Sequence, residues 1–360
     1  MSVIKVTVSD FRNLSLQTLS LNSGLNVFVG QNAQGKTNFL EAVFLLGCGK
    51  SFRTAEFRDL ISWEKQTAQI SADLSSTDGR DSVKVFLHRD RKEIFINDKK
   101  ASWLKKPLLT VLFAPEEILM LKGSPAGRRQ YVDDLISKLS PVYAKALKNY
   151  HRVLVQRNRL LKEQEDSRKL EAELPIWDAP LIELGGGLIL ERKRWIEKLN
   201  SLLARQYDSV AAEGSMAQLI YQPQVENDAG VFQERLLERR ALEKVLHRTL
   251  TGPHRDDFQA CLGARGVKPF GSQGEARTFT LALKLAEIDL IQEVHQKTPV
   301  LLLDDVISEL DPSRNEHLFK TLETFAGQML VTTTDLQLLP GQARQKAKIF
   351  EVSRGSALYF

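Results

Sequence analysis

Gly30-Gln31-Asn32-Ala33-Gln34-Gly35-Lys36-Thr37 is the stretch whose reading decides the fold. Two glycines bracket a short loop and are followed by Lys and Thr, the full pattern of a phosphate-cradling P-loop. Its flanks are of the right kind. The apolar run Leu25 to Val29 before it reads as a short buried strand, and Asn38 to Leu46 after it reads as a helix. Gly30 and Gly35 let the backbone turn tightly, so that the N–H groups of Gln31, Asn32, Ala33 and Gln34 and a helix N-terminus face phosphate oxygens. Lys36 then reaches the β- and γ-phosphates and the Thr37 hydroxyl is a magnesium ligand. The bland alternative, a glycine turn before a surface helix, gives no reason for the strand and helix to flank it.

Moving outward, Val300-Leu301-Leu302-Leu303-Asp304-Asp305 is a buried-strand pattern that delivers two carboxylates at its C-terminal end, where open α/β sheets bind ligands. Asp304 is read as a magnesium ligand with Thr37. Asp305 is read as the residue nearest the γ-phosphate, orienting or deprotonating water. The catalytic set is therefore Lys36, Asp304 and Asp305. An aspartate has a shorter stem than a glutamate, which predicts poorer positioning of the water and slow turnover. A third segment, Pro269-Phe270-Gly271-Ser272-Gln273-Gly274-Glu275, opens a helix pattern ahead of the Val300 strand. Taken alone, Ser272 and Glu275 read equally well as a helix cap.

The composition sets broad limits. The chain has 360 residues, 42% hydrophobic and 26% charged, which is a globular rather than a disordered balance. Fifty Lys and Arg against 45 Asp and Glu leave a formal charge of +5, a weak pointer to a polyanionic partner. Cys48 and Cys261 are too few for a disulfide framework or a four-cysteine zinc site, which fits a reducing cytoplasm. The start, Met1 to Val8, alternates like a strand and lacks the pattern of a signal peptide. No apolar run is long enough to span a bilayer, so a membrane partner is not expected.

Texture divides the chain into three. Residues 1–124 are strand-rich, with antiparallel strands expected at Val83 to Leu87 and Glu93 to Ile96 and a turn at Asn97-Asp98. Residues 125–250 are helical. Tyr143, Leu147, Tyr150, Leu154 and Leu161 form a core-facing stripe, and Gly185-Gly186-Gly187 interrupts a later helix pattern as either a break or a close helix contact. Residues 251–360 return to α/β, with a helix over Thr278 to Gln292 and a strand over Gln328 to Thr332. The expected fold class is α/β, a P-loop ATPase core split by an inserted helical domain.

Ser272-x-Gly274-Glu275, lying after the P-loop and just before the aspartate strand, resembles the signature motif of ATP-binding-cassette proteins, and Ser308-Glu309-Leu310-Asp311 resembles their D-loop. With Phe11-Arg12-Asn13-Leu14, Phe113-Ala114-Pro115-Glu116-Glu117, Gly123-Ser124-Pro125, Arg128-Arg129 and Thr251-Gly252-Pro253-His254-Arg255-Asp256-Asp257, the chain resembles the RecF family of bacterial replication and repair proteins. The resemblance implies an ABC-type head like those of SMC and Rad50, without a long coiled coil. It further implies ATP and Mg2+ as ligands, an ATP-dependent homodimer, and binding to double-stranded DNA at gaps or single-strand/double-strand junctions. RecO and RecR would be partners in promoting RecA assembly on single strands. In that dimer the P-loop of one subunit would face Ser272, Gly274 and Glu275 of the other.

Several polar residues carry two readings. Arg12 is either a base or ribose contact or part of a surface turn. Arg128 and Arg129 are either DNA-backbone or interface contacts or a solvated helix face, and the run Arg192-Lys193-Arg194 either binds phosphate or is a solvated face. Arg255 and Asp256 either pair internally or lie near nucleotide or DNA. His254 reads as structural, since no other His or Cys stands at ligand spacing from it. Phe52 stands where the family resemblance leads one to expect His, while Arg53 stays a candidate contact. Thr332-Thr333-Thr334-Asp335 stands where cassette ATPases often have a switch histidine, again implying modest turnover. A transporter-type energiser and an assembly scaffold with incidental turnover are the competing function classes.

Overall fold

The computed structural model describes residues 1–76, 79–102, 107–164, 166–211, 216–306 and 325–359. Its strands, in chain order, are β1 (Ser2–Ser9), β2 (Gln17–Ser20), β3 (Leu25–Val29), β4 (Thr67–Ser76), β5 (Gly79–His88), β6 (Lys92–Ile96), β7 (Lys99–Lys100), β8 (Thr110–Phe113), β9 (Ala217–Gln222), β10 (Asp257–Leu262), β11 (Arg265–Gly266), β12 (Val300–Leu303), β13 (Met329–Thr333), β14 (Lys348–Ser353) and β15 (Ser356–Tyr359). The helices are α1 (Lys36–Cys48), α2 (Pro115–Met120), α3 (Pro125–Leu139), α4 (Pro141–Glu163), α5 (Ser167–Val210), α6 (Ala229–Leu246), α7 (Val267–Phe270), α8 (Gln273–His295) and α9 (Gly341–Lys346). The chain divides into two compact units, Met1–Ile118 with Glu287–Phe360, and Leu119–Ala286.

The first unit holds two sheets. One is antiparallel, in the order β2-β1-β4-β5-β6-β7. Its strands alternate between buried and exposed residues, as one-sided burial demands, and Asn97 and Asp98 take positive φ (50° and 60°) in the two-residue turn joining β6 to β7. The other sheet runs β15-β14-β3-β13-β12-β8 and is parallel from β14 to β8. Its inner strand β12 is an unbroken apolar run because both faces are covered: Val300 to Leu303 are all fully buried. The order β3-β13-β12 brings the C-terminal ends of the P-loop strand and the aspartate strand to one edge, with a single strand between them.

The second unit is wider than residues 125–250, because β9 inside that span pairs with β10, which in turn pairs with β11. Pro125 and Pro141 open α3 and α4 behind the serine caps Ser124 and Ser140, whose side chains accept from Gly127 N and Tyr143 N. The stripe expected on α4 is buried at Tyr143, Tyr150, Leu154 and Leu161. The glycine triplet does not break α5. A Cβ at Gly185 would stand 2.7 Å from the Phe232 ring, so the glycine permits α6 to approach. Among the described residues no helix is long and apolar enough to cross a membrane.

Candidate active site

The loop after β3 is built by close approach. A side chain at Gly30 would meet the carbonyl oxygen of Val352 in β14 at 2.3 Å, and Gly35 adopts φ 109° with Asn13 against it. Ala33 also takes a positive φ, 64°. The β14–β15 turn holds the loop from outside, since Gly355 N donates to Gln34 O (2.8 Å) and Arg354 N donates to the Gln34 side chain (2.7 Å). Lys36 is buried and donates from Nζ to the carbonyls of Gly30 (2.7 Å) and Gln31 (3.0 Å). Burial pushes its ammonium pKa down, against the opposing pull of Asp305 and Asp304.

The aspartate strand meets this loop. Thr37 Oγ1 donates to Asp304 Oδ1 at 2.8 Å, and Thr332 Oγ1 donates to the same oxygen at 2.8 Å. The backbone N–H of Asp305 donates to Thr332 Oγ1 (2.8 Å), and Asp305 takes φ 49°. Thr332 thus fixes both carboxylate residues through one hydroxyl, a positioning duty at the place where cassette ATPases often have a switch histidine. A hydroxyl and a carboxylate oxygen side by side form the hard donor set that magnesium takes when phosphates supply further ligands. Among the described residues no group of three or more His, Cys, Asp or Glu is placed to hold a metal ion.

Asn32, Ala33, Gly35, Lys36, Thr37 and Asp305 line a cavity of about 500 Å³. Four further liners, Asp59, Ile61, Trp63 and Asn38, had no motif to mark them, and neither did Glu41 beneath the cavity. Trp63 is 95% exposed. Glu41 is fully buried and accepts both Arg12 Nε (2.9 Å) and Nη2 (2.8 Å), together with Ser51 Oγ (2.5 Å). Arg12 is therefore a bidentate ion-pair partner that also lines the cavity, and not a plain surface turn. Arg53 donates to Asn38 Oδ1 (3.0 Å) at the rim, while Phe52 packs edge-on against Phe44, an apolar duty in place of a polar one.

In the second unit Ser272 and Glu275 form a reciprocal cap on α8. Glu275 N donates to Ser272 Oγ (3.0 Å) and Ser272 N donates to Glu275 Oε2 (2.7 Å). That bond from Ser272 N holds the Glu275 carboxyl below the usual range. Ser272 is exposed, and its side chain also hydrogen-bonds the Glu275 carboxylate, so an anion would have to compete with Glu275 for the hydroxyl. Gly274 O accepts from Thr278 Oγ1 (3.0 Å). The D-loop-like Ser308 to Asp311 lies outside the described residues.

The Thr251–Asp257 segment is a structural knot. Asp256 pairs with Arg192 (2.8 Å), not with Arg255, and also accepts from Tyr221 (2.5 Å) and Gln224 N (2.9 Å). Arg192 is 2% exposed and also grips Asp133, so the run 192–194 is not one solvated face. Buried Arg128 is bidentate to Asp257 (2.8 and 2.7 Å), and half-buried Arg129 donates to Asp256 O (2.6 Å). His254 bonds Tyr150 Oη (2.7 Å) and Thr249 O (3.2 Å), as a structural histidine does.

A parallel sheet with a P-loop after an inner strand, a carboxylate strand one place away and a helical insertion defines the class: an ABC-type ATPase head. Residues 2–357 match the family model for the RecF/RecN/SMC N terminal domain. The chain is 35% identical to the DNA replication and repair protein RecF of Heliobacterium modesticaldum, over 99% of this chain and 98% of that one. It is also 35% identical to that of Acetivibrio thermocellus over 100% of both. The solved structure of the recombination mediator protein RecF-ATPrS in the RecFOR pathway superposes with a TM-score of 0.91 at 31% identity, covering 100% of this chain and 98% of that one. An Smc head bound to the C-winged helix domain of ScpA matches at TM-score 0.57 and 16% identity, which shows the shared fold. The chain belongs to the RecF family of DNA replication and repair proteins.

Proposed function

We propose that the chain is a slow, DNA-dependent ATPase that dimerises around ATP and uses that dimer to hold double-stranded DNA near gaps. The observation that carries the reading is the hydrogen bond from Thr37 to Asp304, which joins the phosphate loop to the carboxylate strand at 2.8 Å. Thr37 and Asp304 would hold magnesium, which neutralises charge on the β- and γ-phosphates. Lys36 would leave its loop carbonyls for the phosphates. Asp305 would orient water against the γ-phosphorus, so that the new P–O bond forms as the bond to the β-bridging oxygen breaks and ADP leaves with phosphate.

Ser272, Gly274 and Glu275 would complete the site from the second copy. A γ-phosphate gripped from both sides favours the dimer, and its loss on hydrolysis releases the partner, which makes a timed clamp. Relatives bearing the name DNA replication and repair protein support a DNA substrate. Solved RecF structures described as recombination mediators of the RecFOR pathway support RecO and RecR as partners. RecA assembly on single strands would be the outcome and the cytoplasm the location.

Sedimentation velocity with no nucleotide, ADP, ATP and a nonhydrolysable analogue, with and without gapped duplex, tests the reading. Dimer is expected with the triphosphates alone. Ser272→Arg should abolish that shift while monomer nucleotide binding persists, and unchanged dimerisation in this variant overturns the arrangement.

A further inference from the structure

α4 differs from its neighbours in charge. It carries six Lys and Arg against one carboxylate, Glu163, an excess equal to the +5 of the entire chain. α5, nearly twice as long, has seven basic and seven acidic residues. Burial sorts the α4 charges. Arg157 is fully buried and ion-paired with Asp178 (2.7 Å) and Glu243 (2.8 Å). Lys145, Lys148, Arg152, Arg159 and Lys162 are all exposed.

Their spacings of three, four, seven and three residues place them in an arc of about 100° around the helix and along ~25 Å of its axis. The arc lies opposite the buried Tyr143, Tyr150, Leu154 and Leu161. Among the described residues, Arg159 alone of the five is ion-paired, with Glu163 at 2.8 Å. Among the described residues Lys145, Lys148, Arg152 and Lys162 meet no carboxylate. Like charges three and four residues apart repel and work against the helix, so local stability does not account for this row. A straight, unneutralised row of cations complements a stiff polyanion. The exposed apolar residues on this face are Val142 and Val155, without the Trp, Phe or Leu edge by which a helix enters a lipid surface.

We propose that the solvent face of α4, through Lys145, Lys148, Arg152, Arg159 and Lys162, is the rail on which the phosphate backbone of double-stranded DNA docks. The assignment rests on the reading of the chain as a DNA-binding protein and adds where the duplex lies. Contacts of this kind grip phosphates and leave bases unread.

The test uses the full chain with a nonhydrolysable ATP analogue and a fluorescent duplex, titrated over a range of salt. The triple variant Lys148→Gln, Arg152→Gln, Arg159→Gln should bind at least about tenfold more weakly at low salt, and its log-log salt slope should be shallower by about 2.7, from about 0.9 per lost phosphate contact. Retained nucleotide binding reports that the variant is folded. A control, Arg89→Gln, Lys99→Gln, Lys100→Gln on the antiparallel sheet, should bind like the wild type. Wild-type affinity and slope in the α4 variant, or an equal loss in the control, overturn the assignment alone. Failure of the wild type to hold duplex in any nucleotide state instead removes the DNA-binding reading beneath it. Binding to phosphatidylserine vesicles that the α4 variant loses while it keeps duplex would hand the face to a membrane and overturn the proposal.

Discussion

Trp63 leaves most of its indole in solvent at the rim of a cavity whose floor is the phosphate loop. An exposed ring beside a triphosphate site offers a flat face to the base, and base–aromatic stacking is worth about 1–3 kcal/mol. Trp63→Ala should therefore weaken ATP binding by about tenfold in calorimetry and leave inorganic tripolyphosphate binding unchanged. An equal loss for both ligands would mean that the loop, and not the ring face, had been lost. The phosphate loop and Asp304-Asp305 were legible in the sequence because each is a compact run whose meaning lies in its own spacing. Trp63 and Glu41 were not, and the bonds that Thr332 makes to Asp304 and Asp305 were not either, because these roles come from neighbours remote in the chain. Glu41 sits in an apolar helical run and is defined only by Arg12 and Ser51 arriving from either side.

At the scale of elements, α5 is where local propensity and the fold disagree most. It runs through Pro175, Pro180 and three successive glycines, any of which argues for an end. The triplet separates into unlike roles. Gly185 is buried against Phe232 and Pro253, whereas Gly187 is exposed with nothing within 4 Å of a Cβ. Gly187→Ala should stabilise the protein by up to about 1 kcal/mol, the helix-propensity gain. Gly185→Ala should cost about 1–2 kcal/mol, since overpacking against a core ring exceeds that gain. Urea unfolding of the two variants checks the opposite signs. The sequence pattern placed the helical stretch and the parallel strands β3, β12 and β13, but it missed β8 and β14 and the small sheet of β9, β10 and β11. β9 falls in a helical stretch and is specified by its partner across the sheet.

At the scale of the molecule, the second unit is tied by buried charges and neutral rings that join α3, α4, α5, β9 and the Thr251–Asp257 segment. Burial lowers the His254 pKa from 6.5 to about 4, and burial lowers that of His151 as well. The unfolded chain takes up a proton on His254 as pH falls through 6.5, while the folded chain does so only near 4. The stability held by the neutral ring is complete above pH 6.5 and drains away between 6.5 and 4. Melting temperatures followed across that window should fall less steeply for His254→Gln, which keeps a hydrogen-bonding side chain, than for the wild type. Parallel slopes would show that His254 stays neutral for no energetic reason.

The hairpin of β14 and β15 brings the far end of the chain to the phosphate loop, where Val352, Arg354 and Gly355 touch Gly30 and Gln34. A loop whose outer wall is supplied from so remote a stretch of the sequence cannot be finished locally, so polypeptides truncated just before Lys348 should not capture ATP.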